Sequence, residues 1–84
     1  MRVTLYSRPN CGLCNQARAV IEAVQQGHSF DLEEIDITAT DDLELEYGLR
    51  IPVVLIDGEE AFELQVTSAE LAQALRDARA QQAR

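Results

Sequence analysis

Long apolar runs, lysine, tryptophan and any second cysteine pair are missing from this 84-residue sequence. The longest apolar stretch is Ile51–Ile56, and it contains Pro52. A membrane-spanning helix needs about 20 apolar residues, so a soluble protein without membrane contact is expected. Positive charge is also scarce. Seven arginines stand against fifteen acidic residues, for a formal net charge of −8. A phosphate backbone would be repelled, and the arginines form no cluster, which argues against nucleic acid as a partner. Two cysteines and one histidine are too few for a four-ligand zinc site in one chain, so a metal would require dimerisation and none is expected. Repeats, low-complexity tracts and linkers are absent, and the length suits a single domain over residues 1–84. Met1-Arg2 runs straight into the strand-like Val3-Thr4-Leu5-Tyr6, leaving no room for a secretory signal. A cytoplasmic location follows as the expectation. There a close cysteine pair signals redox or metal chemistry more often than a structural bridge.

The charge that is present is unevenly placed. Residues 1–28 carry Arg2, Arg8 and Arg18 against Glu22, whereas residues 29–70 carry thirteen acids against Arg50 alone. The plain reading of this acidity is a solvated surface, since the neighbouring carboxylates of Glu33-Glu34 or Glu59-Glu60 would point to opposite faces of a strand. The pattern of apolar residues predicts the elements. Arg2–Tyr6 reads as a strand, ended by Ser7-Arg8-Pro9-Asn10. Cys14, Ala17, Ile21 and Val24 then form one helical face, stopped at Gly27. Ser29–Ile37 is a second strand, and Asp41–Tyr47 a short helix capped by Thr38 or Thr40 and ended at Gly48. Ile51–Ile56 is the most apolar strand and belongs in the middle of a sheet. Asp57-Gly58 predicts a tight hairpin returning through Glu59–Leu64. Thr67-Ser68-Ala69-Glu70 has capping-box spacing and opens a last helix through Leu71, Leu75 and Ala78. The order is β-α-β-α-β-β-α. A right-handed crossover makes the first two strands parallel, giving an α/β fold with a four-stranded mixed sheet covered by three helices.

Cys11-Gly12-Leu13-Cys14 is the motif with chemical content. It opens a helix directly after an N-terminal strand. Unpaired N–H groups and the helix dipole at that point favour an anion, and the thiolate is the reactive form of cysteine. Cys14 lies one turn further on, on the apolar face, where it is shielded yet within reach of the Cys11 sulfur. Cys11 would attack a disulfide and Cys14 would resolve the mixed disulfide. Gly12 leaves space over the sulfur, and Arg8 would stabilise the thiolate or hold a substrate carboxylate. The bland alternative is a pair of small buried side chains that happen to be cysteine. His28 reads as a helix-end residue and Tyr6 as a packing residue. Pro52 inside the most apolar strand conflicts with ladder bonding unless it begins the strand, so a special role is expected there.

The segment Tyr6-Ser7-Arg8-Pro9-Asn10-Cys11-Gly12-Leu13-Cys14 resembles the active site of glutaredoxins, within the thioredoxin-like superfamily. Ile51-Pro52-Val53-Val54 resembles the family's second signature, a cis-proline beside the active site. The resemblance runs from Val3 to the last helix and is nearest to a short bacterial glutaredoxin-like group. It implies a thioredoxin-like fold with sheet order 2-1-3-4, Cys11 as nucleophile and Cys14 as resolving thiol. It also implies backbone contacts from Ile51, beside Pro52, to an extended substrate; Arg8, Ile51 and Pro52 are the expected substrate-binding residues, and no bound cofactor is expected. Gly12 and Leu13 stand where glutaredoxins carry a proline and an aromatic, and Arg8 where they carry a lysine. Gln65-Val66-Thr67-Ser68 has no glycine where that family places a glycine turn for the γ-glutamyl end of glutathione. The expected function is thiol-disulfide oxidoreduction on protein or small-molecule disulfides, with weak glutathione binding and a thioredoxin-type electron donor. A monomer is expected. The rivals are a single-thiol enzyme resembling glutathione transferases and a non-catalytic binding module using the surface around Pro52.

Overall fold

The computed structural model of the chain describes residues 1–82, so the last two residues of the expected 1–84 domain lie outside the described residues. Four strands and three helices follow in the order β1 (Arg2–Ser7), α1 (Gly12–Gln25), β2 (Asp31–Asp36), α2 (Asp41–Tyr47), β3 (Val53–Ile56), β4 (Glu59–Glu63) and α3 (Ser68–Gln82). The sheet has the order β2-β1-β3-β4. β1 runs parallel to β2, with Val3 opposite Leu32, and antiparallel to β3, with Leu5 opposite Val54. β4 returns antiparallel to β3. This is the thioredoxin-like α/β architecture that the motifs imply.

The alternation along β1 decides the two faces. Val3 and Leu5 are fully buried against Ile21 and Val24 of α1 and Leu71 and Leu75 of α3, with Val54 and Ile56 of β3 completing that core. Thr4 and Tyr6 point the other way, because successive strand residues face opposite sides. Tyr6 there stacks on Tyr47 of α2, with ring centroids 4.1 Å apart. Thus α1 and α3 cover one face and α2 sits on the other. All four β3 residues are buried, which explains why the most apolar stretch became an inner strand.

Local chemistry sets the ends of most elements. Asp57 and Gly58 both take positive φ, 50° and 86°, as a two-residue hairpin turn demands. Thr67 Oγ1 accepts from the Glu70 N–H at 3.2 Å, and Glu70 Oε1 accepts from the Thr67 N–H at 3.1 Å, a complete capping box. Thr40, of the two threonines considered, caps α2 by accepting from the Leu43 N–H. Several strand ends differ from the pattern, β1 among them, which runs one residue further, to Ser7. β2 is shorter than Ser29–Ile37, because Phe30 is buried ahead of the strand and Ile37 enters a 3-10 turn, Ile37–Ala39, capped by the Asp36 carboxylate. β3 starts at Val53 rather than Ile51, since Pro52 has no N–H for the ladder. β4 ends at Glu63, before Leu64 turns to φ 69°, and a bulge displaces its register between Val54 and Leu55.

Candidate active site

The end of β1 that leads into α1 carries the cysteines. Pro9 stops the strand, and Asn10, a residue type that tolerates the left-handed region, turns the chain at φ 61°. Cys11 is the N-cap of α1: its backbone is extended, its sulfur accepts from the Cys14 N–H at 3.1 Å, and its carbonyl receives the Asn15 N–H. Cys11 is half-buried, whereas Cys14 has no exposed surface and begins the buried stripe continued by Ala17, Ile21 and Val24. The two sulfurs are joined as a disulfide across a Cα–Cα separation of 5.2 Å. A side chain at Gly12 would meet nothing within 4 Å, so the surface is open beside Cys11.

The residues expected around the cysteines take definite places. The Ile51–Pro52 peptide bond is cis. Pro52 is buried, and its carbonyl accepts the Leu64 N–H at 2.9 Å, which the Arg50 carbonyl shares at 3.2 Å. Ile51 is half-buried beside it. Arg8 turns its guanidinium toward the end of α2, where Nη2 donates to the Gly48 carbonyl at 3.2 Å and Nε is buried without a partner. That approach depends on glycine, since a Cβ at Gly48 would lie 2.5 Å from the Glu44 oxygen and 3.3 Å from Arg8 Nη2. The Arg8 cation also helps hold the Asp36 carboxyl below its usual range, after the larger effect of the Thr38 hydroxyl and N–H, which donate to it at 2.6 and 2.8 Å. His28 lies near Phe30, at the opposite end of β1 from the cysteines, with Arg79 Nη1 3.3 Å from its Nδ1.

Three arrangements around this end were not visible in the sequence pattern. Arg18 of α1 pairs with Glu34 of β2, which also accepts from the Ser7 hydroxyl at 2.7 Å. Arg50, directly before Ile51, sits among Glu46, Glu60 and Glu63 and over the Tyr47 ring, 5.3 Å from its centroid. The carboxylates hold its charge, so its pKa rises, Glu60 being the main cause. Finally, Leu13, between the cysteines, and Leu64 flank a groove of about 260 Å³ whose floor includes Ala17 and Val66. Arg18 and Glu34 lie 16 residues apart, Glu60 and Glu63 lie 10 and 13 residues beyond Arg50, and the groove joins α1 to the segment before α3, so no local spacing announces them. Among the described residues, no three His, Cys, Asp or Glu side chains converge as a metal site would need.

A disulfide at a helix N-cap, with one sulfur accessible and the other beneath it, can be opened by an external thiolate, and the dithiol so formed can attack an external disulfide. The profile of the Glutaredoxin-like domain (DUF836) family matches residues 2–76. The chain belongs to the glutaredoxin-like domain family. Within the thioredoxin superfamily, this glutaredoxin-like chain is similar to the uncharacterized protein Rv0508 of Mycobacterium tuberculosis, with 33% identity over 64 residues. That match takes in 70% of this chain and 66% of Rv0508, so the chain spans just under two thirds of the length of the curated relatives it matches. The crystal structure of target protein XcR50 from X. campestris is 32% identical, with a TM-score of 0.74, covering 89% of this chain and 96% of that one. Thioredoxin 1 from Thermosipho africanus shares the fold across the full length of both chains, with a TM-score of 0.70 at 15% identity. The family, the fold and the Cys11–Cys14 pair together fit a thiol-disulfide oxidoreductase-like role for the glutaredoxin-like chain.

Proposed function

We propose that this chain is a cytoplasmic dithiol reductase of protein or small-molecule disulfides. The observation that carries the reading is the position of Cys11 at the N-cap of α1 with Cys14 wholly buried one turn behind it. In the reduced protein, the free N–H groups of the first turn and the helix dipole favour the Cys11 thiolate. That thiolate attacks one sulfur of the substrate, forming a Cys11–substrate disulfide and expelling the other sulfur as a thiolate that takes up a proton. Cys14, as thiolate, then attacks Cys11 Sγ, closes the Cys11–Cys14 disulfide and releases the second substrate thiol. Two electrons pass from the dithiol to the substrate, and an external dithiol donor restores them. Ile51 and Pro52 supply the edge along which an extended substrate lies, and Arg8 the nearby positive charge.

The donor is a thioredoxin-type dithiol rather than glutathione, because the loop Gln65–Ser68 carries side chains where a glycine turn would let the tripeptide approach. Losing one good anchor costs on the order of 1.5–3 kcal/mol, a roughly tenfold to hundredfold loss of affinity. The test is turnover of a disulfide substrate by three forms of the protein. Wild type should cycle with a thioredoxin-type donor and only slowly with glutathione. Cys11→Ser should be inactive, and Cys14→Ser should accumulate a mixed disulfide at Cys11, visible as added mass. An alkylating reagent at mildly acidic pH should modify Cys11 before Cys14. Full activity in Cys11→Ser, or first alkylation of Cys14, would reverse the roles.

A further inference from the structure

The groove beside the disulfide has an uncharged lining: Leu13 and Leu64 form its walls, Ala17 and Val66 its floor, and Gln16, Gln65 and Thr67 its polar margin. Leu13 and Leu64 keep 40% and 47% of their surface exposed, which leaves apolar area for a ligand to cover. Leu64 is held in this pose by its own N–H bonds to the Arg50 and Pro52 carbonyls, so the groove is continuous with the proline edge.

Thr67 decides what the groove accepts. Its N–H and hydroxyl are the donors that would meet an incoming carboxylate at the start of α3. Both already point to Glu70 Oε1, at 3.1 and 3.0 Å. The chain's own carboxylate occupies the anion position. A second carboxylate would find the donors taken and a like charge in place. The acidity of residues 29–70, thirteen acids against Arg50, reinforces this bias.

Resting on the dithiol-reductase reading, we propose that this groove seats an apolar side chain next to the substrate cysteine, that the substrate is an extended peptide segment of basic character, and that Glu70 is the residue excluding anionic substrates. Charge complementarity selects the basic segment: an apolar residue fills the uncharged groove while an arginine or lysine neighbour meets Glu70 at its margin. Glu70 acts on selectivity and takes no part in sulfur chemistry.

The probe is a short peptide with serine in place of the disulfide cysteine, leucine beside it and arginine at both ends, so that binding is read without redox chemistry. A second peptide carries glutamate in place of the leucine. Titrated into the oxidised protein, the leucine peptide should shift the amide resonances of Leu13, Leu64 and Thr67 and bind at least tenfold more tightly than the glutamate peptide. Leu64→Asn, which suits the positive φ, should weaken the leucine peptide about tenfold. Glu70→Gln retains a capping-box residue but not the charge, and should reduce the discrimination between the peptides severalfold. Equal affinities, shifts confined to another face, or unchanged discrimination in Glu70→Gln would overturn the proposal. Reduction of a neutral dialkyl disulfide, measured in parallel, reports Cys11 and Cys14 alone. Its loss with peptide binding intact strikes the reductase reading, and the reverse result strikes the groove.

Discussion

At Glu34 one carboxylate holds three segments together: Arg18 reaches it from α1, Ser7 donates from the end of β1, and the residue itself belongs to β2. The Arg18 hydrogen bond is the main reason that its carboxyl lies below the usual glutamate range, with Ser7 adding to it and partial burial opposing. A carboxyl with a depressed folded pKa contributes stability above its unfolded pKa and loses it as acid carries the pH down through the folded value. The pair keeps a third of its surface exposed, so water and salt screen it, and the contribution belongs to the ~0.2–1 kcal/mol range of surface ion pairs. Glu34→Gln should therefore lower the denaturant midpoint slightly at neutral pH. The gap to wild type should close as the pH falls below the ordinary glutamate range. A gap that persists in strong acid would assign the effect to packing instead. Arg18 is one turn past Cys14 on α1, so this pair also fixes the helix that presents the cysteines.

Among the elements, the β3–β4 hairpin shows how one turn residue can bind distant ends. Asp57 Oδ1 accepts from the Arg2 N–H at 2.8 Å, its N–H donates to the Arg2 carbonyl at 2.8 Å, and Oδ2 accepts from Gln82 at the end of α3. Asp57→Ala would remove the acceptors and place alanine at φ 50°, a cost on the order of 1–2 kcal/mol. Asp57→Asn keeps an acceptor and a residue tolerant of that conformation, and should lose much less. Urea unfolding of both variants measures the difference, and equal losses would rule out the backbone contribution. The turn itself was legible from Asp57-Gly58, as were the cysteine motif at a helix start, the capping box at Thr67 and the order of the seven elements, because each depends on neighbours within a few residues. The longer-range features were not. Arg8 meets Gly48 forty residues away, and Tyr6 meets Tyr47 across the sheet, so no local pattern announces either. The ends of β2 and β4 depart from the sequence pattern for the same reason: Ile37 turns inward under an Asp36 cap, and the bulge in β4 answers to β3 rather than to its own alternation.

For the whole molecule, charge sets the terms of encounter. The net charge of −8 is concentrated in residues 29–70, which supply α2, β4 and the loop flanking the disulfide. A cationic dialkyl disulfide should be reduced with a higher kcat/KM than an anionic one at low ionic strength. The two should converge as added salt shortens the screening length from ~30 Å at 0.01 M to ~3 Å at 1 M. Rates indifferent to salt would show that charge plays no part in approach. The same acids lie along both open sides of the sheet: Asp31, Glu33, Glu34 and Asp36 on β2, and Glu59, Glu60 and Glu63 on β4. An outermost strand offers unpaired backbone groups on which another chain can template itself. Two copies brought together along either border would set rows of carboxylates against each other, and the bulge in β4 breaks the straight run that such zippering requires. The acidity of these two borders is thus also a guard against fibril growth.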